Sequence, residues 1–370
     1  MSIKAGAYHS YNLVQQEASL VFLFRLSILK NILLFGLVLT IVGIATPVVA
    51  QGANQAKFKQ PFSSNSIWKR PISKNAIYYD VSAAIWGNSS LAPNRVSVEQ
   101  VTLIYIDKSQ LEVNIVKSKG WNMPKRAQTR GEVLYTRRFA PNAGIEVRYP
   151  STANASFVII NPKTGIATEG SAGWREPGGD LITYYDEPRI HNINLFGNGL
   201  SGTLGSGLPA MGGLIRVGEI NNGINHSIAI AMGSKRFSKN KHFVAPAWRA
   251  DGFASNLLNG YGGKNDRYTM GTLLAIPYSV DIDAIKWKTR QGYNLAKSSQ
   301  KYGWYIIDSN DGGWGDDQMK LNVTRETALI DFGLQVNSDN DLRVVSPKLD
   351  IVGLERDVIT IMKLVMATTK

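Results

Sequence analysis

Short β-prone runs, each closed by glycine, asparagine, proline or serine, fill the chain from about Lys57 to Ser346. The run 111–115 (LEVNI) alternates apolar and polar residues, which is the period of a half-buried strand. The predicted strands are 101–106, 111–116, 145–149, 157–160, 181–185, 214–217, 227–231, 272–276 and 304–308. Many short strands and few helical stretches predict a mainly β fold, an antiparallel β-sandwich or jelly roll. Sandwiches of this length commonly form one domain, so residues 51–346 are predicted to be a single β-sandwich domain.

Two segments have helical rather than strand periodicity. Residues 289–301 (TRQGYNLAKSSQK) predict a short surface helix. Residues 347–370 predict a C-terminal amphipathic helix, because the apolar positions Ile351, Leu354 and Val358 recur close to the 3.6-residue period. Such a helix packs on the sandwich or covers a sheet edge; the alternative is a tail that binds a membrane or a partner.

The first fifty residues differ from the rest of the chain in their hydrophobic pattern. The apolar run 31–46 (NILLFGLVLTIVGIAT) follows Arg25 and Lys30 and leads into small residues ending at Ala50. That order is typical of a secretory signal. A helix of sixteen residues rises about 24 Å, less than the roughly 30 Å hydrocarbon core of a bilayer. Residues 1–50 are therefore predicted to be a signal peptide, or else an uncleaved signal-anchor that holds the protein to a membrane. Both predict a secreted, extracellular or cell-envelope protein.

The amino-acid composition limits the class of binding partner and excludes some cross-links and metal sites. The chain has no cysteine, which excludes a disulfide framework and any cysteine-ligated metal. Lysine and arginine total 41 against 28 acidic residues, a net charge of +13. In an exported protein this balance fits anionic polymers or lipid headgroups better than nucleic acid, and the predicted partner is an extracellular polysaccharide, anionic ones included.

A glycine-rich centre lies beside the densest polar cluster. Residues 197–202 (GNGLSG) match the G-x-G-x-x-G pattern, but further glycines follow where a dinucleotide site needs a helix. We interpret this segment as a tightly turning loop that approaches a ligand. The predicted catalytic residues around it are Arg216, Glu219, His226, Asp251 and His191.

These residue types suit two reactions on a glycan. A hydrolase needs two carboxyl groups about 5 to 9.5 Å apart, and Glu219 with Asp251 or Asp186 would supply them. A lyase needs Arg216 to neutralise a uronate and His226 or His191 to remove the adjacent proton. Tyr185 or Tyr184 would then protonate its leaving oxygen. In the structural alternative, Arg216 and Glu219 stabilise a turn and His226 is a core histidine, so whether the protein is an enzyme stays open.

Aromatic residues predict where a sugar would bind. Trp174 and Trp314 lie in glycine-rich stretches (SAGWREPGG and DGGWGDD), and Trp248 and Tyr185 lie close to the polar cluster in sequence. Aromatic faces stack on sugar rings, although they also fill cores. These four are the predicted substrate-binding residues, and they support a second hypothesis, a non-catalytic glycan-binding module.

One segment has the composition of a calcium loop. Asp308, Asn310 and Asp311 begin an oxygen-rich, turn-rich stretch that would suit calcium, although its spacing is not that of an EF-hand. No other cofactor is predicted. The three histidines after residue 50 lack short metal-binding spacing, so no transition-metal site is predicted.

Several short sequence strings in this chain resemble strings that occur together in one group of proteins. They are SNSIWKRPI (64–72), GSGLPAMGGLIRVGE (205–219), NHSI (225–228), ADG (250–252), MGTLLAIP (270–277) and YGWYIID (302–308). Together they resemble a broad, mostly uncharacterised group of secreted microbial β-sandwich proteins. The resemblance covers about residues 62–308 and implies export, one domain and a site near Arg216, Glu219, His226 and Asp251. It implies no catalytic assignment.

The leading hypothesis is a secreted glycan hydrolase or polysaccharide lyase. The alternatives are the glycan-binding module and an envelope-associated structural protein that uses its C-terminal helix to hold a partner or membrane.

Overall fold

The described part of the computed structural model contains fourteen strands in two mixed sheets. The structure describes residues 61–87, 95–118, 120, 130–140, 154–175, 179–184, 190–310, 318–333 and 349–370, all within one compact unit, Asn54–Lys370. The predicted signal segment and the predicted strand 145–149 lie outside the described residues. The mainly β prediction is confirmed.

The larger sheet has ten strands. They are β1 (Tyr78–Tyr79), β2 (Arg95–Tyr105), β5 (Ser156–Ile160), β6 (Ile166–Gly170), β9 (Ile193–Asn194), β10 (Ile228–Met232), β11 (Leu273–Ala275), β12 (Trp304–Ser309), β13 (Gln318–Thr324) and β14 (Met366–Thr368). Their order is β1-β14-β11-β12-β10-β13-β2-β5-β6-β9. The smaller sheet contains β3 (Glu112–Ser118), β4 (Arg130–Arg138), β7 (Trp174–Arg175) and β8 (Leu181–Thr183), in the order β4-β3-β8-β7.

The sequence predicts antiparallel strand pairing throughout, but the structure has both parallel and antiparallel pairs. The pairs β10–β12, β13–β2, β2–β5 and β3–β8 are parallel, and the other described pairs are antiparallel. Every residue of β5 and β10 is buried. Strands buried on both faces are typical of parallel pairing, because both faces of such a sheet are covered. The two faces of the large sheet accordingly contribute to separate apolar clusters.

The predicted strands inside the described ranges form, with one exception. At residues 214–217 only Ile215 makes a bridge, to Val323. Gly213 and Gly218 on either side have φ of +64° and +81°, which glycine adopts without steric cost. The chain therefore turns on both sides of Arg216 rather than continuing as a strand. The predicted strand 214–217 is therefore wrong, and Arg216 does not lie on a sheet face next to β10.

Five α-helices occur in the described part of the chain. They are α1 (Ser82–Trp86), α2 (Glu219–Asn222), α3 (Arg290–Lys301), α4 (Arg325–Ile330) and α5 (Ile351–Leu364). Helix α3 confirms the predicted surface helix, and the Thr289 side chain caps it by accepting a hydrogen bond from the Gly292 N–H.

The C-terminal helix α5 is shorter than the predicted 347–370. It ends at Leu364, after which β14 pairs with β1 and β11. Leu354, Val358 and Ile361 are buried in the larger apolar cluster, so the predicted packing of this helix on the sheets is confirmed. None of the helices in the described ranges has the length and hydropathy needed to cross a bilayer.

Candidate functional site: a pair of aspartates beside Gly205

The predicted catalytic residues divide between two places. Arg216, Glu219 and His226 form a buried cluster, each no more than 4% exposed. Glu219 Oε2 accepts hydrogen bonds from the Arg216 backbone N–H at 2.8 Å and contacts His226 Nε2 at 3.1 Å. His226 Nδ1 lies 2.8 Å from the Ser227 carbonyl oxygen. Asp251 belongs to a different cluster, so the four residues do not share one groove.

The Arg216 guanidinium is bound by the protein's own backbone. Nη1 donates to the Leu214 carbonyl at 2.7 Å and Nη2 to the Met211 carbonyl at 3.1 Å. The cavity beside Arg216 and His226 has a volume of about 10 Å³, room for about one water molecule. This cluster therefore fastens the glycine-rich segment to α2 and has no space for a sugar.

Charges within the cluster decide the state of Glu219. Burial alone would raise the pKa of its carboxyl group, but the neighbouring His226 and Arg216 outweigh burial and hold that pKa below its usual value. An ionised Glu219 is the form that accepts the Arg216 N–H.

We expect Glu219→Gln to destabilise the fold without removing function. The change takes a charge away from a buried, hydrogen-bonded cluster, which costs about 1–3 kcal/mol in the free energy of unfolding. Urea denaturation at pH 7 measures it. Asp281→Asn, on an exposed turn, serves as a control that should leave the midpoint unchanged. A Glu219→Gln protein with wild-type stability would contradict the structural role.

The second cluster brings two carboxylates together across Gly205. A Cβ built on Gly205 would lie 2.5 Å from Asp251 Oδ1 and 2.7 Å from Asp308 Oδ1. Both oxygens therefore converge on the space that only a glycine leaves open. Asp308 is 8% exposed, and Asp251 is half-buried. Asp251, which the sequence predicts as a catalytic carboxyl group, therefore has Asp308 as its partner. The sequence does not single out Asp308 as catalytic.

A bulge in β12 positions Asp308. Ile306 pairs with Ile230 of β10, but the next residue of β10, Ala231, pairs with Asp308, so Ile307 is an extra residue in its strand. Bulges of this kind redirect side chains and are frequent beside active sites. Asp308 Oδ1 accepts hydrogen bonds from the Gly205 N–H at 3.3 Å and the Ser309 N–H at 3.0 Å.

The two aspartates have different environments. Burial, then the nearby Asp251 and Glu99 charges, raises the pKa of Asp308 well above its usual value. Asp308 Oδ2 also accepts a hydrogen bond from Asn154 Nδ2 at 3.0 Å. Asp251 Oδ2 accepts a hydrogen bond from the Tyr261 hydroxyl at 2.8 Å. Asp308 is therefore suited to carry a proton, and Asp251 is held in place by the Tyr261 hydroxyl.

The glycine-rich segment and Trp248 form the neighbouring wall. The Trp248 indole N–H donates to the Gly207 carbonyl at 2.8 Å, and a Cβ on Gly207 would lie 2.3 Å from the indole ring. The Arg249 guanidinium lies 5.0 Å from the centre of that ring and donates to the Thr203 carbonyl at 2.9 Å. The sequence predicts that the glycine-rich segment is a turning loop close to a ligand. The hydrogen bond from the Gly205 N–H to Asp308 is consistent with that prediction.

The remaining predicted residues lie apart from the acid pair or outside the described residues. The His191 ring contacts Tyr135 edge-on at 5.4 Å, and the His191 carbonyl accepts from Thr168 at the far end of the large sheet. Trp174 is half-buried on β7, an edge strand of the small sheet. Tyr185, Trp314 and Asp311 are not among the described residues.

The predicted calcium loop begins at the acid pair. Asp308 faces Asp251, and the Asn310 backbone N–H donates to the Met232 carbonyl at 3.2 Å. Among the described residues no group of three acidic or histidine side chains is placed to hold a metal ion. Calcium at this segment stays a prediction.

Sequence reasoning misses Asp308, Tyr261 and Asn154 as members of the site. A signal for Asp308 does exist, because an acid ends the otherwise apolar run WYIID of a buried strand. Tyr261 and Asn154 have no comparable local signal. No family model, curated protein or solved structure matches this chain, so the site rests on its geometry.

Proposed function

We propose that the protein is a secreted glycoside hydrolase that cleaves extracellular polysaccharide with Asp308 as acid and Asp251 as nucleophile. The observation that carries this proposal is the convergence of two carboxyl groups on Gly205, one of which has its pKa raised by burial. A carboxyl group with a raised pKa beside a second carboxyl group is the pair that glycosidic cleavage uses.

The roles follow from the hydrogen bonds. Asp308 donates its proton to the glycosidic oxygen as the bond to the leaving sugar breaks. Asp251, whose Oδ2 is held by the Tyr261 hydroxyl, attacks the anomeric carbon and forms a glycosyl ester. A water molecule then gives its proton to ionised Asp308, and its oxygen displaces Asp251 from the sugar. This cycle releases a new reducing end and returns both carboxyl groups to their first state.

The separation of the carboxylates favours this retaining course. Inverting enzymes place the carboxyl groups about 6.5–9.5 Å apart to leave room for a water molecule between them. In this chain both oxygens lie within 2.7 Å of the same point beside Gly205, which is too close for that arrangement.

The alternative lyase is less well supported by the geometry. Its arginine and histidine, Arg216 and His226, are no more than 4% exposed and are engaged by backbone carbonyls. Backbone carbonyls therefore already occupy the groups that a uronate would need. The net charge of +13 favours a polyanionic substrate for a hydrolase as well, since it attracts the polymer over a distance.

A glycan-binding module without catalysis is the second candidate. Half-buried Trp174 at the edge of the small sheet and the Trp248–Arg249 stack would supply sugar-binding faces. This candidate predicts that Trp174→Ala weakens retention on a glycan, while changes to the acid pair leave retention as it is.

We expect the purified full chain to release reducing ends from at least one polysaccharide in a panel of neutral and uronic-acid glycans. The first-formed product should keep the anomeric configuration of the substrate, which proton NMR detects before mutarotation. Inversion would contradict the roles given to Asp251. Absorbance from an unsaturated sugar would indicate a lyase, and retention on a glycan column without turnover would favour the binding module.

A further inference from the structure

A cavity of about 320 Å³ lies beside β11 and β12. Its walls include Tyr305 of β12, Leu273 of β11, Tyr79 of β1 and the segment 244–246. Asp251, Tyr261 and Asp308 are not among the residues that line it. We propose that this cavity binds a small carboxylate carried on a six-membered ring, and the proposal does not depend on the hydrolase.

Positive charge surrounds the cavity. Arg70, Arg267 and Lys370 line it, and none of its described lining residues is acidic. Arg70 and Arg267 are exposed, while Lys370 is half-buried. The positive charges of Lys370 and Arg70 repel each other, and a bound anion relieves that repulsion. The cavity therefore favours a negatively charged ligand over a neutral one.

Lys370 is held with its ammonium group at the cavity wall. Nζ donates to Ser227 Oγ at 2.7 Å and to the Ile67 carbonyl, which uses two of its three N–H groups. Burial, and then the charge of Arg70, lowers the pKa of Lys370 to about 7. A carboxylate beside Nζ would accept the remaining N–H and favour the charged ammonium.

The ring part of the ligand is inferred from the aromatic walls. Lys370 Nζ lies 5.6 Å from the centre of the Tyr305 ring, so the aromatic face and the charge adjoin. The Arg267 guanidinium stacks on Tyr79 with its central carbon 3.9 Å from the ring centre, which fixes the plane of that cation. A cavity of this size is at the small end for ligand sites, which commonly have about 300–1,000 Å³, and suits a single ring.

A uronic-acid unit of a glycan and an aromatic acid both carry a carboxylate on a six-membered ring, and a binding titration distinguishes them. The probes are benzoate and D-glucuronate, each paired with an uncharged counterpart, benzamide and D-glucose, with inorganic phosphate as an anion that has no ring. Isothermal titration calorimetry on the full chain should show at least one of the two acids binding about tenfold more tightly than its counterpart and than phosphate. Binding of glucuronate indicates a glycan unit, and binding of benzoate indicates an aromatic acid.

Variants locate the binding. Arg267→Gln should weaken binding of the preferred acid by about tenfold, because a charge-assisted hydrogen bond is lost. Arg356→Gln, on an exposed position of α5, removes the same charge elsewhere and should have no effect. Arg70→Gln provides a second test at the cavity should Arg267→Gln fail to fold. Asp308→Asn should bind the acid as the wild type does, which separates this site from the proposed hydrolase.

Four results would overturn the proposal. They are no binding of either acid up to about 10 mM, equal binding of the acids and their uncharged counterparts, equal binding of phosphate, and an equal loss in Arg356→Gln.

Discussion

Asp308→Asn is expected to lower kcat for glycan cleavage by about 10³-fold or more while the protein stays folded. An asparagine Oδ1 still accepts the Gly205 and Ser309 N–H groups, but the side chain has no acidic proton for the leaving oxygen. The measurement is the release of reducing ends from the polysaccharide found in the panel. Asp281→Asn changes an exposed carboxylate and should keep wild-type turnover. Full turnover in Asp308→Asn would remove the acid from the mechanism.

The same variant has an expected signature in stability. Because burial raises the pKa of Asp308 in the folded state, the folded protein keeps a proton that the unfolded chain releases near pH 3.9. The stability contributed by this group is complete below the unfolded pKa and falls as the pH rises toward the folded pKa. Asparagine does not titrate, so Asp308→Asn should lack this fall. Urea denaturation at pH 4 and pH 8 should show the variant gaining stability relative to the wild type as the pH rises.

The pH profile of the wild type follows from the same shift. Cleavage requires protonated Asp308, so kcat should fall on the alkaline side, above the pH at which an ordinary aspartic acid ionises. A profile that rises continuously with pH would exclude Asp308 as the acid.

Local sequence predicts a helix or strand correctly where tertiary contacts do not change the conformation that its own residues favour. The run 157–160 is apolar throughout and forms β5, and the 3.6-residue period after 349 forms α5. Residues 214–217 look equally strand-like, but the glycines on both sides turn the chain and the Arg216 side chain folds back onto its own segment. Parallel pairing between strands as distant in sequence as β2 and β13 has no local signal either.

The acid pair is harder to predict because its geometry is set over a long range. Asp251 follows Trp248 and Arg249 in a stretch dense in polar residues, which makes it a candidate catalytic residue. Asp308 is followed by serine, asparagine, aspartate and glycine, a composition that resembles a calcium loop. Only the bulge at Ile307 and the approach of Gly205 bring the two carboxylates together. Arg216, Glu219 and His226 do form a cluster, as their closeness in sequence suggests, but burial gives that cluster a structural role.

Gly205→Ala is expected to lower kcat by about 100-fold, because misplacing a reacting group by about 1 Å has an effect of that size. The added methyl group would lie 2.5 Å from Asp251 Oδ1 and 2.7 Å from Asp308 Oδ1, so at least one carboxylate must move. Gly205 does not have a positive φ, so alanine adds a steric conflict there without backbone strain. Initial rates at saturating polysaccharide measure the effect.

Gly252→Ala is the matched control for this steric test. Gly252 follows Asp251 directly, and a Cβ at that position meets no atom within 4 Å apart from those of its two chain neighbours. The same substitution next to the same carboxylate should therefore leave kcat unchanged, while Gly205→Ala loses it. Equal rates in the two variants would mean that the space between Asp251 and Asp308 does not matter to turnover, and the reaction would then have to take place away from Gly205. A loss confined to Gly205→Ala, in a protein with wild-type binding of ring carboxylates, would place the chemistry between the two aspartates.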